Sequence, residues 1–299
     1  MRVLVGGGTG FVGRALSQLL RSRGHEVTPV SRRGGQGRIS WVTWSPVVLL
    51  GQGEGKTAQC CQRTWKGPGD KTRWNDAFCR EVIRSRIETT KTLVKAIADA
   101  EQPPRAWVLV TGVGYYRPSP TAEYTEDSPG GDFDFFSRLV SSWEAAALIP
   151  GSPARGVVVR SGVVLGRGGG AISQMLWPFR LGLGGPLGSG LQPFPWIHVR
   201  DLAGIVCHAL ESESLHGVLN GVSPSSPATS NGTFAQELAA ALGRPALLPV
   251  PAWALRAVFG AERAVMLLEG QRVVPKRTLE SGYHFIFPDL SGALKDIVA

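Results

Sequence analysis

Apolar and polar positions fall into two alternating rhythms along the chain. Residues 2–5, RVLV, predict a short buried strand. In the next segment Val12, Leu16 and Leu19/Leu20 recur at helical spacing, and Gly24 stands where a helix C-cap belongs. HEVTPVSRR, 25–33, predicts a second strand. Strand, glycine turn, helix and strand in this order make the βαβ unit of a Rossmann sheet. The rhythm then repeats. Residues 80–98 have helical period, AWVLVTGVGYY at 106–116 is a buried strand running into a glycine turn, 134–148 is helical, and GVVVRSGVVLG at 156–166 is a strand with a turn. Strands alternating with helices predict an α/β fold, a Rossmann-type doubly wound parallel sheet.

The glycine-rich stretch 166–190 breaks this rhythm and predicts a loop, one short helix and another loop. PWIHVRDLAGIVCHAL, 195–210, predicts a short strand entering a helix. Thr233 and Gln236 stand at capping-box spacing, with Gly243 and Pro245 as stop signals. A Pro-bounded helix is expected around 252–268 and a last helix near 291–298.

Composition and charge exclude several classes. The chain has 299 residues, 43% hydrophobic and 18% charged, which is globular composition and enough for a core without disulfides. No apolar run approaches the ~20 residues of a membrane span. The opening MRVLVGGG lacks the apolar stretch of a signal peptide and any Arg/Ser-rich leader. The cytoplasm is the expected compartment, with an uncleaved mitochondrial address as the alternative. Net charge is +9, but the basic residues are scattered, with Arg32 and Arg33 the densest cluster. Neither nucleic acid nor a membrane surface is therefore an expected partner. Cys60, Cys61, Cys79 and Cys207 have no C-x-x-C spacing, so free thiols and no metal centre are expected.

The chemistry starts at Gly7-x-x-Gly10-x-x-Gly13, directly after the first strand. Glycines there permit a tight turn, close approach of the backbone to a pyrophosphate, and close helix–strand packing. The helix N-terminus behind them offers free N–H groups and a positive dipole end. A glycine motif alone is a weak signal. Its place between a strand and an amphipathic helix points to a dinucleotide. NAD sites carry an acidic residue at the end of the second strand. Here Ser31, Arg32 and Arg33 stand there, with two guanidinium groups suited to a 2′-phosphate. NADP is the expected cofactor.

MRVLVGGGTGFVG, LVTGVGYY, VVVRSGVVLGRGGG and WIHVRDLAG together resemble the extended and atypical short-chain dehydrogenase/reductases. More narrowly, the chain resembles the epimerase family proteins within them. Further carriers are RWN at 73–75, Ser85-Arg86, WEAAA at 143–147, GGGAISQMLWPFRLGLGGPLGSG at 168–190 and PKRTLESGYHFIFPDLSGALKDI at 275–297. The resemblance implies an NADP-binding Rossmann core in 1–165 and a small C-terminal substrate lobe in 166–299, with 195–222 returning to the sheet. It implies cofactor contacts from Gly7, Thr9, Gly10, Phe11, Val12 and Gly13, and from Ser31 and Arg32. Arg86 occupies the helix position where relatives carry a cofactor-facing Asn, and Glu81 lies on the same helix. Arg160 and the backbone near Val164 fall in the motif that borders the nicotinamide. A buried ion pair is the alternative for Arg160.

The chain departs from that pattern twice. The superfamily's usual catalytic pair is Tyr-x-x-x-Lys, a phenol that moves a proton and a lysine that lowers its pKa. Alignment on Glu144 puts that pair at Phe136 and Val140, and neither titrates. Thr111, on the strand that presents the family's catalytic hydroxyl, and Tyr116 just after it become the candidate catalytic residues. Tyr115 and Tyr116 as wall residues are the alternative. His198 and Asp201 are expected as a strand-end hydrogen bond and a first-turn helix acid. The second departure is residues 43–72, where relatives have a strand ending in Asn-Leu-Ala-Gly. Here only Val47–Leu50, followed by Gly51 and Gly53, could take its place. An alternative splice product or shifted exon boundary is expected, with a diverged loop as the rival. The functional expectation is an NADP-dependent oxidoreductase acting on a small-molecule substrate. The alternative is a catalytically weak NADP-binding sensor or scaffold.

Overall fold

A computed structural model describes residues 1–31, 39–40, 55–59 and 75–299. The chain runs through β1 (Arg2–Gly6), α1 (Phe11–Ser22), β2 (Glu26–Ser31), β3 (Ile39–Ser40), β4 (Gly55–Gln59), α2 (Asp76–Ala98) and β5 (Ala106–Gly112). A 3-10 turn (Val113–Tyr115), β6 (Glu123–Tyr124), α3 (Phe135–Ala145), β7 (Arg155–Ser161) and β8 (Val163–Leu165) follow. Next come α4 (Ile172–Arg180), β9 (Trp196–His198), α5 (Val199–Glu211), β10 (Gly217–Gly221) and α6 (Asn231–Ala241). The chain closes with α7 (Ala252–Phe259), α8 (Ala261–Leu268), β11 (Arg272–Val273), α9 (Lys276–Glu280) and α10 (Leu290–Val298).

Seven strands form one sheet in the order β10-β7-β5-β4-β1-β2-β3, and every pairing in it is parallel. This is the Rossmann order, with the reversal of direction beside β1. Successive side chains on β5 point to opposite faces. Ala106, Val108 and Val110 join Leu16 and Leu20 of α1 and Leu202 and Ile205 of α5. Trp107 and Leu109 join Leu93 and Ile97 of α2 and Trp143 of α3. Helices thus cover both faces, which explains why these strands are apolar on both sides. A separate core gathers Phe179 of α4, Phe234 and Leu238 of α6, and Leu294 of α10 around Trp196. Among the described residues no helix is long and apolar enough to cross a membrane.

Four expectations need correction. The run 156–166 divides at Gly162, where a Cβ would lie 2.6 Å from the Pro195 carbonyl oxygen, and β8 leaves the main sheet to pair with β9. The helix over 252–268 breaks at Gly260, whose φ of +80° ends α7. Thr233 does not cap α6; Ser230 does, its hydroxyl accepting from the Thr233 N–H at 3.1 Å. Val47–Leu50 lie outside the described residues, and the strand between β1 and β5 is Gly55–Gln59.

Candidate functional site

The carboxyl end of β1 turns sharply into α1. Gly7 has φ +73°, a conformation that glycine adopts without strain. Its N–H donates to the Val30 carbonyl at 2.9 Å, and the Gly10 N–H donates to the Gly7 carbonyl at 2.8 Å. A Cβ on Gly13 would sit 2.2 Å from the Gly7 oxygen, so only glycine lets the helix approach this closely. No side chain caps α1 at Gly10. The Arg14 N–H is the first amide bonded back, to Gly10, which leaves the amides of Phe11, Val12 and Gly13 without an intrahelical partner. Val12 and Gly13 are buried and Thr9 is exposed. Phe11 closes one side of the turn. A Cβ on Gly169 or Gly170 would fall 2.4 or 2.9 Å from its ring. Gly170 also lies against the carbonyl of Val164, which is itself buried on β8. Ser31 ends β2, half-buried and in register with Ser40. Arg32 lies outside the described residues.

Across β4 from this turn, the ends of β5 and β7 carry a buried polar network. Thr111 Oγ1 donates to Glu144 Oε1 at 2.9 Å. Arg160 grips the same carboxylate with two bonds, Nε to Oε1 at 3.0 Å and Nη2 to Oε2 at 2.7 Å. Arg160 Nη1 donates to the Tyr116 hydroxyl at 3.0 Å, and that hydroxyl donates to Asn220 Oδ1 at 2.8 Å. The guanidinium also sits 3.3 Å over the Tyr115 ring. From Asn220 the network reaches the C-terminal block. Its N–H donates to Glu126 Oε1 at 3.0 Å, and its Nδ2 to the Val274 carbonyl at 2.9 Å. Burial pulls the Arg160 pKa down, but its bonds to the Glu144 carboxylate outweigh that and hold it above the usual arginine range. Burial pushes the Tyr116 phenol above its usual value, against the pull of Arg160.

Structure therefore brings Thr111, Tyr116 and Arg160 together and adds Glu144, Asn220 and Glu126. Glu81 pairs instead with Arg84 at 2.9 Å on the outer side of α2. Arg86 Nη1 donates to the Val82 carbonyl at 3.2 Å, and its guanidinium lies 5.5 Å from the Trp143 ring centroid. Phe136 stands beside Gly114, where a Cβ would lie 3.4 Å from it, and Val140 is buried, so neither position offers a titratable group. His198 caps α5 by accepting from the Arg200 N–H at 3.3 Å. The Asp201 carboxylate accepts from the N–H groups of Ile286 and Phe287 at 2.7 and 2.9 Å. Away from the network, ligand atoms of His25, Cys207 and Glu211 lie within 4.8 Å of one another. Burial pushes the Cys207 thiol up to about 12, and Glu211 is already taken by Arg23 at 2.6 Å and His25 at 2.9 Å. This cluster ties α5 to the turn before β2.

Residues 3–44 match the model of the NAD dependent epimerase/dehydratase family, and residues 250–297 match a domain of unknown function, DUF1731. The chain is 62% identical over 304 residues to the epimerase family protein SDR39U1 of Homo sapiens, covering all of both. It belongs to this epimerase family. A chloroplastic homolog of SDR39U1 from Arabidopsis thaliana is 38% identical, over all of this chain and 87% of that protein. In the epimerase family the crystal structure of human SDR39U1 (isoform 2) with NADPH superposes with a TM-score of 0.92, at 61% identity and 99% coverage of each chain. UDP-N-acetylglucosamine 4-epimerase from Bacillus cereus, at 15% identity and TM-score 0.76 over 99% of this chain and 97% of that one, shares the fold.

Proposed function

We propose that this chain binds NADP(H) along the carboxyl edge of its sheet and reduces or oxidises a small substrate held under the C-terminal lobe. The observation that carries this reading is the Gly7–Gly13 turn, where a Cβ at Gly13 would strike the Gly7 carbonyl oxygen and no side chain caps the first turn of α1. The human relative's structure with NADPH supports the choice of cofactor. When bound, the nicotinamide supplies or takes the hydride. The amides of Phe11, Val12 and Gly13 would hold the pyrophosphate, Ser31 and Arg32 the ribose 2′-phosphate, and the backbone near Val164 would border the nicotinamide.

Thr111 and Tyr116 are better suited to positioning than to proton transfer. Each hydroxyl already donates to a buried acceptor, and the Tyr116 ring has no exposed surface. Both Glu144 oxygens already accept from Arg160, which makes that carboxylate a poor general base. This arrangement holds the ends of β5 and β7 at a fixed spacing and would leave the substrate's proton to solvent. A second reading has its own support: Phe136 and Val140 stand where the family's Tyr and Lys would be, as suits a sensor that binds the cofactor without turning it over. We also read 43–72 as the product of an alternative exon choice.

Thermal shift with NADPH and NADH tests the cofactor. NADPH should raise the melting temperature and NADH should not. Gly13→Ala should abolish the NADPH response, because its Cβ overlaps the Gly7 carbonyl. No response to either nucleotide would overturn the reading. Exchange of deuterium from labelled NADPH into carbonyl compounds separates an enzyme, which transfers label, from a sensor, which does not.

A further inference from the structure

We infer that the C-terminal lobe presents a docking face for an anionic lipid bilayer. Two tryptophans mark it: Trp177 on α4 is 69% exposed and Trp253 on α7 is 74% exposed. Leu181, Leu183, Leu247 and Leu248 are exposed between them. Backbone bonds tie these segments into one surface. The Leu248 N–H donates to the Gly184 carbonyl at 3.4 Å, the Val250 N–H to Pro186 at 2.9 Å, and the Gly188 N–H to Val250 at 2.8 Å. α7 starts directly after this strap. An apolar patch of this kind marks an interaction site rather than ordinary surface.

Charge selects the occupant. The sequence has no Asp or Glu between residues 167 and 200, nor between 238 and 261. Those stretches place Arg180, Arg244 and Arg256 on the surface. Among the described residues none of the three forms an ion pair. Arg180 lies one helical turn from Trp177, and Arg256 one turn from Trp253. Indole rings flanked by unpaired cations suit the headgroup level of a membrane, where the ring enters the acyl boundary and the cation meets lipid phosphate or carboxylate. A second copy fits poorly, because a two-fold contact would set the patch against itself and oppose arginines with no carboxylate between them.

The full chain is sedimented with vesicles of phosphatidylcholine alone and of phosphatidylcholine with phosphatidylserine. It should pellet with the anionic vesicles at low ionic strength and be released by salt. Arg180→Ala, Arg244→Ala and Arg256→Ala should each weaken partitioning about fivefold. Trp177→Ala with Trp253→Ala should weaken it further while the melting temperature stays unchanged. A wild-type chain left in the supernatant with anionic vesicles at low salt would overturn the inference. So would arginine variants that bind like wild type. A concentration-dependent dimer in sedimentation velocity that the Trp variants abolish would give the face to a second copy instead.

Discussion

Arg160 shows how one buried charge is made tolerable. It is 4% exposed and its partner Glu144 12%, so the pair is largely shielded from bulk water. Four contacts compensate: two bonds to the carboxylate, one to the Tyr116 hydroxyl, and the face of the Tyr115 ring. Removing one partner strands the other charge. Arg160→Met should cost about 3 to 5 kcal/mol of stability in urea unfolding, and Arg160→Met with Glu144→Leu should recover much of it. Additive losses in that double-mutant cycle would mean that the pair is not the unit of stability. Part of this was legible beforehand. A buried ion pair is the alternative that the sequence offers for Arg160, without naming its partner. Asn220 and Glu126 were not legible, because they meet across 94 residues and no local periodicity encodes that contact.

At the level of elements, the first turn of α5 anchors the segment around residues 286–287. Asp201 is fully buried and holds the backbone of 286–287, while His198 packs on the Phe287 ring at 4.0 Å and faces Asp296 of α10 at 3.4 Å. The sequence marks His198 as a strand-end hydrogen bond and Asp201 as a first-turn acid, but neither the helix cap that His198 makes nor the reach of Asp201 to residues 286–287. Burial pushes the His198 imidazole below its usual pKa, and Arg200 adds to this while Asp296 and Asp201 pull the other way. Below the unfolded value near 6.5 the unfolded chain binds the extra proton more readily, so folding loses stability as the pH falls from there through the folded value. Urea midpoints measured from about pH 7.5 down to pH 5 should therefore fall. His198→Asn keeps a capping acceptor and removes the titration, so its curve should be flatter over the same interval. A variant that loses as much as wild type would place the acid sensitivity elsewhere.

The whole molecule rests on a sheet whose centre has an unusual member. β1, β5 and β7 read RVLVG, AWVLVTG and RGVVVRS, the apolar runs that a two-sided parallel sheet needs. β4 reads GKTAQ, yet it pairs with β1 over its full length and with β5 over Trp107–Leu109. Periodicity along the chain identified the flanking strands because each carries its own apolar signal. It failed at β4 because that seat is defined by its two neighbours rather than by its own side chains. A strand of weak propensity between two strong ones should lower the cooperativity of the sheet and loosen the adjoining carboxyl edge where the cofactor is proposed to lie. Replacing residues 43–72 with the segment of a relative that carries Asn-Leu-Ala-Gly restores an apolar strand at this seat. That exchange should raise the melting temperature and tighten NADPH binding together, since one strand supports both. A higher melting temperature with unchanged affinity would separate the two and place the cofactor's support entirely on β1, α1 and β2. Equal values in both chains would mean that hydrogen bonding from the neighbours alone makes a sufficient central strand.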